Sequence, residues 1–503
     1  MLIGIDASRA VTPERTGTEN YSYYLLRALL RADAENRYRL YFNNAPPEGF
    51  LPQGERVEWR VMPFPRLWTH LRLSWEMRVA PPDVLFVPSH VLPLLHPPAA
   101  VVTVHDLGYL RFPEAHPLGA RWYLDVSTRW NARRARRVIV DSRATAEDLV
   151  AAYGTPRTKI RLAYPAGAEG LAPEGNPGRL AAVRARYGTG ERYLLYVGTL
   201  QPRKNLRLLV EAFTRLVAAG GALGDVRLVL AGRRGWLADE ILAAARAADA
   251  AGRVVLPGYI PAEDLPAIYT GAQAFVYPSL HEGFGLPVLE AMACGAPVIC
   301  ANTSSLPEVA GEAALLVDPH RAEDWAAAMG RVLADVALRE GLREAGLVRA
   351  GEFTWARCAR AVLDALCEAA GGCLMEGQAV PRGAVRILGV RVDDVTTAET
   401  LALFQGYIAS RRPHQVVTVN PEFVMAARRD PAFARVLEAA DLALPDGQGL
   451  LWAARVQGRP LRERVCGSDI VPAAAALAAS QGYRVFLLGA APGVAERAAE
   501  VLT

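Results

Sequence analysis

The 503-residue sequence is short of several things, and each shortage narrows the reading. It has six cysteines and no C-x-x-C pair, so neither a disulfide framework nor a thiolate zinc site is expected, and a reducing cytoplasm fits. No run approaches the roughly 18 apolar residues that span a bilayer, and Met1 to Asp6 reads as a strand, not a targeting segment. Neither sign of charge dominates. Lys plus Arg is 56 and Asp plus Glu is 52, and the resulting +4 is too mild for a dedicated nucleic-acid binder. No G-x-G-x-x-G follows the first strand, which argues against a dinucleotide oxidoreductase.

What is present is globular: 51% of residues are hydrophobic and 21% charged. At about 150 residues per domain, the length allows roughly three domains. Short apolar runs recur, among them Val101–Val104, Arg137–Val140, Tyr193–Val197, Val226–Leu230, Ala274–Tyr277 and Pro297–Cys300. Most end in Gly, Asp or His and lead into a helical pattern, the alternation of a parallel sheet covered on both faces. Ligands of such sheets bind at the carboxyl ends of the strands. Pro- and Gly-rich breaks at 165–178 and 371–383 divide the chain, with mostly helical sequence from Arg321 to Ala369. A new strand–helix series is expected to open at Val385.

The most informative segment is Tyr277–Glu290, YPSLHEGFGLPVLE, followed by AMACGAPVI. It predicts a strand ending at Tyr277, a Gly-rich loop, and a helix starting near Leu286 whose first N–H groups favour an anion. Glu282 in the loop can accept hydrogen bonds from sugar hydroxyls, and Glu290, eight residues on, can grip a ribose diol. Two glutamates at arbitrary spacing would mark only a polar helix start; with the whole motif intact, a site is the better reading.

This stretch resembles the retaining GT4 glycosyltransferases, which have the GT-B fold. The resemblance covers about residues 1–370 and implies an α/β architecture of two Rossmann-like domains, an acceptor domain (1–175) and a nucleotide-sugar domain with a helical tail (176–370). A linker (371–384) follows. By resemblance, Arg203 and Lys204 after Gly198 bind the donor diphosphate, which agrees with their chemistry. Gly17 lies in the first strand-to-helix loop and resembles the family's glycine loop, with one glycine where relatives often have two. His105 occupies a position that faces the donor sugar in relatives, and reads equally as a structural histidine at a strand end. Gly283, Phe284 and Gly285 complete the implied nucleotide-sugar site. Ser304–Glu308 resembles a further substrate-side loop that is usually structural. The resemblance implies front-face transfer in which the leaving diphosphate helps deprotonate the acceptor, with no metal and no other cofactor.

Two stretches of the first domain, Arg66–Arg78 and Arg129–Arg137, interleave arginine with aromatic or apolar residues. They read as helices on anionic lipid or as ordinary amphipathic helices with a solvated Arg face.

Residues 385–503 resemble a second family, the WecG/TagA/CpsF (GT26) glycosyltransferases, through Ile387–Asp393, Val417–Glu422, Leu444–Gly449, Glu463–Asp469 and Tyr483–Gly493. The resemblance implies an α/β domain that transfers a sugar from a UDP-sugar to a polyprenyl-linked acceptor with inversion. It puts Asp446 at the base position and Thr418, Asn420, Arg464 and Gly489 at the substrate. It stops at Thr503, partway through a family-length domain, so this third, truncated α/β domain is expected to be catalytically incomplete. Together the resemblances imply a cytoplasmic enzyme of bacterial cell-surface polysaccharide assembly, associated with the inner face of the membrane. It would take a UDP- or GDP-sugar donor and a lipid-linked or glycan acceptor. A GT-B epimerase or phosphorylase and a nonenzymatic nucleotide-sugar-binding scaffold are the competing readings.

Overall fold

Continuous runs of β-branched and aromatic residues, with no polar alternation, are stable only when both faces of their sheet are covered. The computed structural model describes residues 1–12, 17–89, 91–113, 117–220, 225–235, 237–248, 252–371, 384–409, 413–487 and 494–502. It puts these runs into two parallel sheets. The first holds β1 (Leu2–Asp6), β2 (Arg37–Phe42), β3 (Val57–Val61), β4 (Val84–Val87), β5 (Ala100–Val104), β6 (Arg137–Val140) and β7 (Ile160–Leu162), in the order β3-β2-β1-β4-β5-β6-β7. The second holds β8 (Tyr193–Val197), β9 (Arg227–Ala231), β10 (Val254–Gly258), β11 (Ala274–Tyr277), β12 (Val298–Ala301) and β13 (Ala314–Val317), in the order β10-β9-β8-β11-β12-β13. The order reverses at β1/β4 and at β8/β11, and such switch points open a crevice at the carboxyl ends of the strands.

Side chains alternate between two cores along each strand of the first sheet. Ile3, Ile5, Val84, Phe86 and Val101 face one side, and Leu85, Val87, Val102 and Val104 the other. The first side is closed by the helix Gly17–Ala32 together with the helix Trp355–Ala370. Trp355 stacks on Tyr24 with ring centroids 5.7 Å apart and meets Tyr21 edge-on at 5.9 Å. Glu368 accepts from Arg137 Nε at 2.8 Å and Arg161 Nε at 2.9 Å. The helical tail that the sequence places with the second domain therefore crosses back onto the first. The chain forms two compact units, Met1–Cys373 and Leu374–Thr503.

The second unit departs from the expected strand–helix opening. β14 (Val385–Ile387) and β15 (Val390–Val392) pair antiparallel. The two residues between them, Leu388 and Gly389, both have positive φ, as a tight hairpin turn with the twist of its strands requires. β16 (Val416–Val419) and β17 (Leu442–Pro445) pair parallel. Asp393 fastens the hairpin to them: its N–H donates to the Ala443 carbonyl, and its Oδ2 accepts from the Ala443 N–H, both at 2.8 Å. Residues 483–487 take no regular secondary structure, and Val485 and Phe486 are exposed.

Candidate active site

The site is built at the carboxyl ends of β8 and β11. After β8 the chain turns at Gly198 and forms one 3-10 turn, Pro202–Lys204. Asn205 ends that turn in the left-handed region (φ 57°), which asparagine tolerates better than most residues, and its Nδ2 donates to the Pro319 carbonyl at 2.7 Å. The turn aims Arg203 and Lys204 at Glu282, which follows β11. Lys204 Nζ donates to Glu282 Oε1 at 2.5 Å and Arg203 Nη1 to Oε2 at 3.3 Å. The Tyr277 hydroxyl donates to Oε1 at 3.0 Å, and the Ser279 hydroxyl adds a further bond. Arg203 also donates to the His281 carbonyl. Burial alone would raise the Glu282 carboxyl; Lys204 and Arg203 outweigh it and hold it at about 2. Burial pulls Lys204 below the usual lysine value, with Glu282 opposing the shift. A buried lysine and a half-buried arginine thus share one buried carboxylate, an arrangement that becomes costly when the buried pair is broken.

Glycines let the loops meet. Gly232 packs so tightly that a β-carbon there would lie 1.9 Å from the Gly198 carbonyl oxygen. A β-carbon on Gly283 would lie 2.1 Å from the His105 carbonyl oxygen, so this loop of the second sheet touches the end of β5 in the first. The single Thr145 hydroxyl proton is shared between both carbonyls, His105 at 3.2 Å and Gly283 at 3.3 Å. Gly285 (φ 102°) precedes the helix Leu286–Ala293, which begins where the motif predicts. The Phe284 ring is buried against Tyr164 and Phe353, and its carbonyl accepts from the Ser305 hydroxyl at 2.8 Å. Gly17 opens the helix Gly17–Ala32, and no atom of the described residues lies within 4 Å of where its side chain would start.

His105 meets the Gly283 loop through its carbonyl, while its ring packs within the first domain, edge-on to Tyr21 with centroids 4.7 Å apart. Its Nδ1 is 2.6 Å from Asp141 Oδ2 and its Nε2 is 3.0 Å from the Pro88 carbonyl. Both neighbours are acceptors, so both ring nitrogens carry protons in this arrangement. Burial would lower the imidazole; Asp141 outweighs it and raises it. Glu290 sits half-buried in the helix Leu286–Ala293, with the Tyr269 hydroxyl 3.5 Å away. Burial pushes its carboxyl up to about 7. Glu308 joins the halves of the unit as well: the Arg143 N–H, at the start of the helix Arg143–Tyr153, donates to its carboxylate at 2.9 and 3.1 Å, and Tyr164 also donates to it. Sequence reasoning gave no role to Asp141, Tyr269, Gly232 or this use of Glu308. Ser279 and Tyr277 lay inside the quoted motif, and a hydroxyl three residues before a loop glutamate was the available signal.

In the second unit, the ends of β16 and β17 bring Thr418 and Asp446 together beside Gly467. Asp446 Oδ2 accepts the Gly467 N–H at 3.1 Å, at the start of the helix Gly467–Gln481. Asn420 caps the helix Pro421–Ala427, its Oδ1 accepting from the Phe423 N–H at 2.8 Å. Arg464 is exposed, and Gly489 lies outside the described residues.

Two parallel-sheet domains that meet along their strand ends form the GT-B fold. Residues 15–166 match the model of Glycosyltransferase Family 4, residues 184–349 that of Glycosyl transferases group 1, and residues 385–503 that of the Glycosyl transferase WecG/TagA/CpsF family. The O-antigen chain mannosyltransferase B of Escherichia coli is 34% identical over 301 residues, covering 60% of this chain and 78% of that protein. The serotype-specific mannosyltransferase WbdA of Escherichia coli is 32% identical over 190 residues, 37% of this chain and 23% of WbdA. A sucrose-phosphate synthase from Thermosynechococcus elongatus shares the fold, with a TM-score of 0.56 and 21% identity over 72% of this chain and 97% of that one. The chain belongs to the group 1, family 4 glycosyltransferases, and a WecG/TagA/CpsF-family segment is fused after it.

Proposed function

We propose that residues 1–373 move a hexose from a nucleoside-diphosphate sugar to a glycan acceptor in bacterial surface polysaccharide synthesis, with retention of configuration. Mannose is the first donor sugar to test, since the O-antigen relative is a mannosyltransferase. The observation that carries the reading is the Arg203–Lys204–Glu282 cluster, with its Lys204–Glu282 pair buried, set against the end of β5 across Gly283. Arg203 and Lys204 stabilise the charge that develops on the leaving diphosphate, and Glu282 fixes both cations so that little reorganisation is needed during reaction. Glu290 accepts from the ribose hydroxyls. Gly17, Gly198, Gly283, Gly285 and the Phe284 backbone let the donor approach the loops. The leaving diphosphate takes the acceptor proton on the front face, so no carboxylate nucleophile is required. Residues 1–175 hold the acceptor and 176–354 the donor, with the tail helix bracing the acceptor side.

The acceptor is lipid-linked in this reading. Leu67, Leu71, Trp75 and Val79 are exposed, as are Leu118, Trp122 and Val126 in the helix Leu118–Arg134, and Arg66, Arg78 and Arg129 are exposed in the same stretches. Apolar and aromatic groups interleaved with arginine suit an anionic membrane surface. No helix among the described residues is long and apolar enough to cross a membrane. Residues 385–503 are read as a domain that, if it is active, performs an inverting transfer with Asp446 as base and Thr418, Asn420 and Arg464 at the substrate.

The test is nucleoside-diphosphate release from a panel of UDP-, GDP- and ADP-sugars with a polyprenyl-diphosphate-linked glycan, with Glu282→Ala and Asp446→Ala in parallel. Acceptor-dependent release lost in Glu282→Ala supports the reading. Nucleotide binding without release from any donor would favour a scaffold.

A further inference from the structure

The first sheet carries a second feature at its strand ends, separate from the charged cluster. A cavity of about 390 Å³ opens where the chain leaves β1 and β2. Ser8 and Arg9 come from the β1 end, Asn43 and Asn44 from the β2 end, and Thr69 and His70 from the segment after β3. Trp68 and Tyr123 supply aromatic surface.

The chemistry of the walls is mixed and close to neutral. The Asn43 Oδ1 is occupied by the Phe64 N–H at 3.0 Å, so its amide NH2 is the group left to donate. The Ser8 hydroxyl donates to Asp6 at 2.6 Å, which leaves its lone pairs to accept. His70 Nε2 lies 3.3 Å from the Tyr123 hydroxyl, while its Nδ1 is buried with no partner among the described residues. Burial lowers the His70 imidazole, so the ring is neutral near pH 7. Among the described residues of the wall, the charged side chain is Arg9, paired with Glu19 at 3.4 Å. Amide donors, hydroxyl acceptors, a neutral imidazole and aromatic faces match an uncharged ring bearing hydroxyls. A phosphate or carboxylate would find no unpaired cation among the described residues of this wall and would lose solvation on entering.

Position matters as well. In the strand order β2-β1-β4-β5, the cavity lies at β1 and β2 while His105 ends β5. Adjacent strands are about 4.8 Å apart, so β1 and β5 are separated by roughly 10 Å. A disaccharide spans that distance. A sugar held in the cavity can therefore be followed by another whose hydroxyl reaches the reacting centre.

We infer that this cavity is a subsite for a neutral sugar residue of the acceptor glycan, recognised by Asn43, Asn44, His70 and Ser8 on its hydroxyls and by Trp68 and Tyr123 on its apolar face. The inference rests on the glycosyltransferase reading of residues 1–373 and names the acceptor chemistry for it.

The test uses the full chain and defined probes: methyl α-mannopyranoside, α-mannobiose, mannose 6-phosphate and glucuronic acid, with binding read by saturation-transfer NMR and by tryptophan fluorescence. Neutral sugars are expected to bind more tightly than the two anionic ones. Asn43→Asp keeps the acceptor for the Phe64 N–H while replacing the donating amide, so the loop is held. His70→Phe keeps the ring volume. Each is expected to weaken neutral-sugar binding about tenfold, the worth of one well-placed hydrogen bond, and to raise the acceptor KM more than it lowers kcat. Stronger binding of mannose 6-phosphate or glucuronic acid, or unchanged binding in both variants, would overturn the subsite. Sugar binding that responds to the variants, with no transfer from any donor, would keep the cavity and reject the transferase reading. Transfer whose acceptor KM ignores both variants would do the reverse.

Discussion

At the scale of single residues, Glu282 stands at the centre of the charged cluster. Its carboxylate answers the buried Lys204, the half-buried Arg203 and two hydroxyls, so neutralising it leaves Lys204 uncompensated in a desolvated place. Glu282→Gln is nearly isosteric, yet it is expected to cost about 3–5 kcal/mol of stability, as broken buried pairs do. Thermal unfolding alongside initial transfer rates would measure it, and an unchanged melting temperature would refute the coupling. Glu290 predicts the opposite kind of pH behaviour. Its folded pKa, about 7, lies above the ordinary 4.5. The raised value favours the folded state below the ordinary pKa, and that contribution is lost as pH rises through about 7. Wild type should therefore lose stability between pH 5 and 8 relative to Glu290→Gln. Nucleotide affinity should rise over the same window, because the ribose diol needs the carboxylate as acceptor. Calorimetric titration of UDP and GDP across that range checks it; a flat wild-type profile would contradict the role. The two glutamates were legible from the motif, but their opposite titration was not. Lys204 comes from a turn 78 residues before Glu282, and only the fold brings it near one and not the other.

Elements explain how the halves of the first unit meet. The Gly-rich loop before Leu286–Ala293 approaches the end of β5 so closely that Gly283 has no room for a side chain. Gly283→Ala is expected to push the loop and the β5 end apart. The Thr145 bonds at 3.2 and 3.3 Å would be strained, and kcat/KM for transfer should fall at least about tenfold through misplacement of the site. Near-normal kinetics in Gly283→Ala would show that the loop rearranges freely. Most of these elements were readable beforehand: Arg137–Val140, Tyr193–Val197 and Ala274–Tyr277 have the expected ends, since burial on both faces writes an unbroken apolar run. Partnerships between elements were not. His105 and Asp141 are 36 residues apart and become neighbours only because β5 pairs with β6, and Glu308 reaches Arg143 over 165 residues. The hairpin at Val385–Val392 escaped because its turn, Leu388–Gly389, lacks the usual Asn or Asp before glycine.

Over the whole molecule, the return of the helix Trp355–Ala370 decides where the first unit ends. An amphipathic tail after a second domain reads as part of that domain, because pattern gives the buried stripe but not the surface that buries it. Here the stripe of Cys358, Val362, Leu363 and Leu366 joins the core of the first sheet with Ile3, Leu25 and Val84. Every residue of the three large core clusters lies within residues 1–373. Two shortened chains therefore have opposite expected fates. A chain ending at Cys373 keeps these clusters whole, so it should unfold cooperatively and retain acceptor-dependent transfer by the first unit. A chain ending at Gly351, only 22 residues shorter, loses the cover of the first sheet and the bonds of Glu368 to Arg137 and Arg161. It should bind 8-anilinonaphthalene sulfonate through its uncovered core and show no transfer, although all of the Arg203, Lys204, Glu282 and Glu290 chemistry remains. Comparable transfer by the two chains would mean that the tail helix is dispensable. Loss of transfer in both would mean that residues 374–503 are needed for activity, which would assign the fused segment a part in the first unit's reaction.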